Sequence, residues 1–183
     1  MIPRKPFYYL RHGQTDWNLV KRWQGQTDIP LNDTGRKQAE AAKTKLADLP
    51  ITQIFASPLS RARETADIVN AVLNLSVTDH PGLQEVAFGV MEGEQQDLDE
   101  YLNRWRHHGL TPDGAESSSK FTDRILATVA ELLSHDGTPL LVAHGGVFWP
   151  IQDELGLIVE GNLPNAHPLH VFPTDKGWDW TPL

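Results

Sequence analysis

Arg11 and His12 stand side by side after an apolar run, Phe7-Tyr8-Tyr9-Leu10, and Gly13 follows them. A second polar cluster, Ser57-Pro58-Leu59-Ser60-Arg61, follows the short run of residues 53–56, and a third, His144-Gly145-Gly146, follows residues 139–143. Two arginines and two histidines after apolar runs suggest chemistry on a phosphate. The planar guanidinium of Arg pairs with phosphate oxygens two at a time. A neutral imidazole nitrogen can attack phosphorus and hold it covalently, and a second imidazole can steady the charge on the transferring group. The positive charge of Arg11 favours a neutral His12, because a like charge disfavours protonation. The leaving alkoxide still needs a proton. Glu85, beside Val86 and Phe88, is the candidate acid, since apolar surroundings raise a carboxyl pKa. On local chemistry other carboxylates qualify equally, and an ordinary surface turn accounts for Arg-His-Gly as readily as a site does.

The elements expected to position these groups alternate. Residues 7–10, 53–56, 75–78, 139–143 and 169–172 read as short strands, rich in aromatic and branched side chains. Gly13 is expected to permit the turn after the first of them. Asn32 is the expected N-cap of a helix running to residue 48, with Ala39, Ala42 and Leu46 at helical spacing. Ser57 at N-cap and Pro58 at N1 predict a second helix, striped by Ala62, Ala66, Val69 and Leu73. A polar helix is expected over Asp97 to His108, with Leu98, Leu102 and Trp105 on one side. A longer helix buries Phe121, Ile125, Val129 and Leu132, and another spans residues 147–155 with Pro150 in its first turn. Residues 16–30, 83–93 and 161–168 read as irregular, and residues 174–183 as a short Trp-rich tail. Strand–helix alternation without repeats or linkers predicts one α/β domain over residues 1–183, a three-layer sandwich whose mostly parallel sheet is flanked by helices. In such a sheet the strand carboxyl ends share one edge, so all three clusters converge there with two helix N-termini.

The chain has 183 residues, enough to bury a core without covalent staples. It has no cysteine, so disulfides and thiolate metal sites are excluded; a cytoplasmic location is expected. No apolar run approaches a membrane span, and no secretory signal opens the chain. A net charge of −8 argues against a nucleic-acid partner. An anionic substrate therefore requires locally concentrated positive charge.

Several longer stretches carry a specific resemblance. RHGQTDWN at residues 11–18, RWQGQTDIPLNDTG at 22–35, SPLSRARETA at 57–66, LQEVAFGVMEG at 83–93 and VAHGG at 142–146 resemble the histidine phosphatase family, in its phosphoglycerate-mutase-like branch. PDGAES at residues 112–117 is similar to the family's proline-glycine-glycine-glutamate-serine segment, departing from it at Asp113 and Ala115. The matches come in the family's order and cover nearly the whole chain.

The resemblance implies that His12 is the phosphorylated nucleophile, with Arg11, Arg61 and His144 forming the phosphate pocket around it. It implies that Glu85 is the proton donor, a choice the local chemistry leaves open. Asn18, Gln24 and Gly25 match positions that touch phosphate or substrate, and the backbone of Gly145 is expected to contribute. It further implies a metal-independent phosphomonoesterase that needs no cofactor and acts on a small phosphorylated metabolite, as a monomer or homodimer. Mutases of the family are usually longer and commonly carry Asn where this chain has Gly146, which by analogy favours the phosphatase. The alternatives are a phosphoglycerate-type phosphomutase, a metal-dependent hydrolase ligated by His12, His144 and Glu85, and a non-catalytic module that binds phospholigands. Trp23, Phe88 and Trp149 are expected to fill core rather than line the mouth. His107 and His108 read as a surface pair; together with Arg104 and Arg106 they are the candidates to meet a second anionic group. Selectivity is expected from residues 94–117 and 161–168.

Overall fold

Successive residues of the first strand, β1 (Phe7–Arg11), point to opposite sides: Phe7 and Tyr9 enter one apolar cluster, Tyr8 and Leu10 another. This period-2 alternation, with both faces buried, is the signature of a central strand covered on each side. A computed structural model describes residues 1–95, 98–159, 161 and 163–183, with backbone alone at 98 and 99. The elements follow as α1 (Asp16–Leu19), α2 (Asp33–Leu46), β2 (Gln53–Ala56), α3 (Ser60–Leu73), β3 (Val77–Asp79), α4 (Leu98–His107), α5 (Ser118–Leu132), β4 (Pro139–Ala143), α6 (Phe148–Leu155), β5 (Leu169–Thr174) and β6 (Gly177–Pro182). Single 3₁₀ turns lie at Pro81–Leu83 and Gly89–Met91.

The sheet order is β3-β2-β4-β1-β5-β6. Strands β1 to β4 pair in parallel, and β5 and β6 close the sheet antiparallel. Ala42 and Leu46 of α2 and Ala66 and Val69 of α3 pack with Tyr8, Leu10, Ile54 and Val142 on one face. On the other face, Phe121, Ile125, Val129 and Leu132 of α5 and Phe148 and Ile151 of α6 pack with Phe7, Tyr9, Phe55 and Leu141. The result is the expected three-layer α/β sandwich. Among the described residues no helix is long and apolar enough to cross a membrane.

Four local expectations need correction. Helix α3 starts at Ser60 with Leu59 as its N-cap, not at Ser57. Ser57 is drawn instead into the sheet, its N–H reaching the Val142 carbonyl at 2.9 Å. The third strand begins at Val77, two residues later than its apolar residues suggested. Residues 16–19 form a one-turn helix, because Thr15 and Asn18 build a reciprocal capping box. The tail forms β6: a two-residue turn at Asp175-Lys176 folds it onto β5, with Thr174 opposite Gly177. Trp178 then meets Phe7 edge-on at 6.4 Å, and Trp180 donates its indole N–H to the Ile158 carbonyl. Asp97, the expected start of the polar helix, and the side chain of Leu98 lie outside the described residues, as does Asn162 in the 161–168 loop; from that helix Trp105 is buried as expected.

Candidate active site

The parallel register brings the carboxyl ends of β1, β2 and β4 to one edge, with Arg11 opposite Ala143 and Ala56 opposite Val142. Beyond those ends the ladder continues for one more bond: His12 N–H reaches the Ala143 carbonyl at 2.9 Å. His12, Arg61 and His144, from three separate stretches, thereby converge. The two imidazoles lie 5.2 Å apart, centroid to centroid.

His12 is nearly fully buried, and its Nδ1 lies 2.7 Å from the Gly13 carbonyl oxygen. A carbonyl only accepts, so Nδ1 carries the proton and Nε2 keeps its lone pair. Burial, then Arg61, then Arg11 hold the His12 pKa well below the ordinary imidazole range. Arg11 thus does favour the neutral ring, as its neighbouring position suggested, but desolvation is the larger cause and Arg61 outweighs it. His144 is lowered in the same way, by burial first and Arg61 second. Its Nε2 shares a 2.7 Å hydrogen bond with the Ser57 hydroxyl, and its Nδ1 is buried with no partner among the described residues. The Tyr9 hydroxyl donates to the His144 carbonyl at 2.6 Å and fixes the backbone beneath the ring.

Gly13 does not take a left-handed conformation. It must be glycine for a different reason than the turn: a Cβ there would lie 2.4 Å from the Gly35 carbonyl oxygen of α2. The loop that carries His12 is thereby seated directly on a helix backbone. The Gly13 N–H also reaches the Thr65 hydroxyl at 3.0 Å.

Both arginines carry positive charge into the interior. Arg61 is fully buried; its Nη2 and Nη1 donate to the Gly25 and Thr27 carbonyls at 2.7 and 3.0 Å. Burial lowers its pKa to about 10. Arg11 donates to the Leu163 carbonyl. Among the described residues the Nε of each arginine is buried with no partner and neither side chain forms an ion pair, although the Glu85 carboxyl acts on both through space. Charge carried into the interior without a direct ion pair is costly unless an opposite charge arrives. The site is thus built to accept an anion despite the net charge of −8.

Glu85 comes from an irregular segment yet reaches the same edge. Its Oε2 accepts the Gly146 N–H and its Oε1 the Val86 N–H, both at 3.1 Å. Burial raises its pKa; the two backbone N–H groups, Arg61 and Arg11 oppose the rise. A raised carboxyl can hold a proton and release it to a leaving group. Gly146 makes this contact possible, because a Cβ there would stand 2.4 Å from Glu85 Oε1 and 3.2 Å from Trp149 Cζ3.

The flanking candidates are placed as follows. Asn18 Oδ1 accepts the Thr15 N–H at 3.1 Å, so this residue caps α1. Gln24 is buried and accepts from the Thr15 hydroxyl at 2.9 Å, while Gly25 supplies the carbonyl that holds Arg61. Gly145 lies against Arg11, with its Cβ position 3.5 Å from Arg11 Nε. Trp23 and Phe88 are core, packed with Tyr101; Trp149 instead faces the Gly146–Glu85 contact. Arg104, His107 and His108 are exposed. The Arg106 guanidinium lies 5.0 Å over the Trp149 ring, and both line a cavity of about 220 Å³ with His107, Ser118, Thr122 and Asp153.

Several residues that shape the site were not singled out by sequence reasoning. Ser57 orients His144, and Thr65 holds the Gly13 N–H. Asn165 Nδ2 reaches the His12 carbonyl at 2.9 Å and Asn18 Oδ1 at 3.4 Å. The Glu92 carboxylate accepts from the Gln26 and Thr27 N–H groups and the Thr27 hydroxyl, fixing the loop whose carbonyls hold Arg61. Arg124 and Glu116 form a fork under residues 82–87. None follows a periodic pattern; their only signal was membership of the quoted motif stretches, which Arg124 and Asn165 lack.

Comparison with known proteins places this geometry. Residues 7–167 match the pattern of the histidine phosphatase superfamily (branch 1). A protein of Citrobacter koseri named probable phosphoglycerate mutase GpmB is 38% identical, across 75% of this chain and 68% of its own. The solved structure titled mycobacterial glucosyl-3-phosphoglycerate phosphatase superposes with a TM-score of 0.77 at 29% identity, covering 97% of this chain and 96% of that one. A structure titled phosphoglycerate mutase, from Thermus thermophilus, gives 0.75 at 33%, covering 91% and 92%. By pattern, by sequence and by architecture, this chain belongs to the histidine phosphatase superfamily.

Proposed function

We propose that this protein is a metal-independent phosphomonoesterase that works through a phosphohistidine. The observation that carries the reading is two arginines with buried, partnerless Nε groups and no ion pair among the described residues, around a neutral His12 whose Nε2 keeps its lone pair. Arg11, Arg61, His144 and the Gly145 backbone bind the phosphoryl oxygens, with Asn18, Gln24 and Gly25 at the rim. His12 Nε2 forms the N–P bond while the bond from phosphorus to the ester oxygen breaks, and Glu85 gives that oxygen its proton. Water then attacks the phosphohistidine and returns a proton to Glu85. The N–P bond breaks, and inorganic phosphate leaves.

Hydrolysis is favoured over mutase chemistry by Gly146, which leaves the Glu85 carboxyl in direct contact with the backbone. The names of the relatives keep phosphomutase as the second reading. Turnover of 4-nitrophenyl phosphate that is insensitive to EDTA, blocked by vanadate and lost in His12→Ala is the expected result. EDTA-sensitive turnover restored by a divalent metal would instead establish the hydrolase ligated by metal, and binding without turnover the non-catalytic module. Incubation with 3-phosphoglycerate separates the two transferases: inorganic phosphate is expected, 2-phosphoglycerate is the mutase outcome.

The substrate is a small phosphorylated metabolite whose remainder passes Trp149 towards Arg106 and His107. Arg106→Ala is expected to raise KM for phosphorylated acids, leaving 4-nitrophenyl phosphate little changed; no change for any acid ends that part of the reading. A cytoplasmic setting belongs to the same proposal, and cell fractionation tests it.

A further inference from the structure

Three of the four reacting groups are placed by strand ends: His12 follows β1, Arg61 follows β2 and His144 follows β4. Glu85 has no such support, because residues 84–88 belong to no helix or strand. Backbone without a ladder must satisfy its polar groups elsewhere. In this segment many of them meet two side chains, Arg124 and Glu116, while Gln26 Nε2 also donates to the Glu85 carbonyl at 3.1 Å and Glu92 Oε1 accepts the Phe88 N–H at 3.1 Å. Arg124 Nη1, from α5, donates to the Gly82 and Gln84 carbonyls, each at 2.9 Å, and Nη2 to the Glu85 carbonyl at 3.3 Å. The same guanidinium forks onto Glu116, Nε to Oε1 at 2.8 Å and Nη2 to Oε2 at 2.7 Å. Glu116 in turn brackets Ala87: its N–H reaches the Ala87 carbonyl at 2.9 Å, and its Oε2 accepts the Ala87 N–H at 3.4 Å. The Trp105 indole holds the Glu116 carbonyl at 2.8 Å, and the Phe121 ring lies 5.1 Å under the Arg124 guanidinium. One ion pair therefore reaches the backbone on both sides of Glu85, with Gln26 sharing the Glu85 carbonyl and Glu92 holding the segment's end at Phe88.

We propose that the Arg124–Glu116 pair is the positioning device for the general acid: it sets the backbone of residues 82–87 so that the Glu85 carboxyl meets the leaving oxygen. The proposal rests on the phosphatase reading, in which Glu85 is the acid. On Glu85 the pair acts by place; the Arg124 charge is felt at His144, whose pKa it helps to lower after burial, Arg61, His12 and Arg11. Arg124 pairs with Glu116, and the cations that reach the Glu85 carboxyl are Arg61 and Arg11. The task needs arginine. Lysine offers a single point of donation, whereas this geometry uses the Nε and both Nη groups in fixed directions. Displacing a catalytic group by about 1 Å costs on the order of a hundredfold in rate.

The test uses leaving groups. The value of kcat/KM reports the step in which the ester bond breaks. Glycerol phosphate releases a strongly basic alkoxide and needs a proton from Glu85; 4-nitrophenyl phosphate releases a weak base and needs none. Glu85→Gln sets the reference, with a loss of about a hundredfold or more on glycerol phosphate and a far smaller one on the nitrophenyl ester. Arg124→Lys is expected to show the same selective pattern, a loss of about ten- to a hundredfold on glycerol phosphate alone, with vanadate inhibition retained. Glu116→Gln, which keeps shape and loses the charged fork, is expected to follow it and carries the test if Arg124→Lys fails to fold. The double variant Glu85→Gln/Arg124→Lys is expected to lose little beyond Glu85→Gln, since a positioner has no effect once its acid is gone. Equal losses on both esters in Arg124→Lys, while Glu85→Gln stays selective, overturn this proposal alone. A Glu85→Gln variant with no selectivity overturns the acid role, and the proposal falls with it.

Discussion

At His12, the proposed nucleophile, one hydrogen bond sets which ring nitrogen keeps its lone pair. The Gly13 carbonyl takes the Nδ1 proton of His12 and leaves Nε2 as the base. Glu85 has the opposite environmental bias: burial lowers the imidazole and raises the carboxyl, which favours the forms the proposed nucleophile and acid would use. On an alkyl phosphate, kcat/KM is therefore expected to fall as pH rises through the raised Glu85 pKa, because the acid form is then lost. Substrate ionisation, near pH 6 for a phosphate ester, is common to wild type and Glu85→Gln. The limb that disappears in Glu85→Gln identifies the carboxyl, and an unchanged profile would argue against it. Gly146 supplies a second check. Gly146→Asn pushes a Cβ to within 2.4 Å of Glu85 Oε1. It is expected to lower kcat/KM on glycerol phosphate about tenfold or more, the scale of a displaced catalytic group, with a smaller loss on 4-nitrophenyl phosphate.

At the scale of elements, the sheet does the assembling: three parallel strand ends deliver His12, Arg61 and His144, and α3 and α6 begin beside them. This much was legible in the sequence, because apolar runs end abruptly in Arg-His-Gly, Ser-Pro-Leu-Ser-Arg and His-Gly-Gly. What stayed hidden depends on partners far apart in the chain. Ser57 looked like a helix cap, since Ser-Pro is a strong helix start. Its hydroxyl is instead spent on His144, 87 residues away. Ser57→Ala is expected to leave the His144 Nε2 unpaired in the interior. The cost is about 1–3 kcal/mol of stability, as for any buried polar atom stripped of its partner, with a lower kcat/KM from a loosened ring. An unchanged melting temperature and rate would show the bond to be idle. Strand β6 was missed for another reason: its alternation of Trp178 and Trp180 is only a few residues long and sits beside a charged turn. Asn165 and Arg124 carry no periodic signal, because each serves backbone carbonyls of an irregular loop.

For the whole molecule the dominant tension is charge. Excess negative charge surrounds a centre where two arginines form no ion pair among the described residues and feel chiefly the Glu85 carboxyl. An anion that fills the centre binds only the folded state, and at a hundred times its Kd adds about 2.7 kcal/mol. Phosphate or vanadate is expected to raise the melting temperature of wild type and to lose that effect in Arg61→Met. Acid should act the other way. The folded pKa values of His12 and His144 lie well below the ordinary value of about 6.5. Between the two values the unfolded chain binds more protons, so stability falls as pH drops below about 6.5. Glu85, raised in the fold, has the reverse sign: it loses stability as pH rises through its folded pKa. Melting curves across pH 4–8 for wild type and His12→Gln separate these contributions, with a shallower acid slope expected in the variant.

The central claim is covalent, and it can be read directly. Wild-type protein mixed with a phosphate monoester, quenched in base and examined by intact mass and phosphorus NMR, is expected to carry one phosphoryl group on the His12 imidazole. That adduct should be stable in alkali, lost in acid and absent from His12→Ala. A phosphoenzyme that still forms in His12→Ala, or turnover with phosphate bound covalently to another residue, would contradict the account.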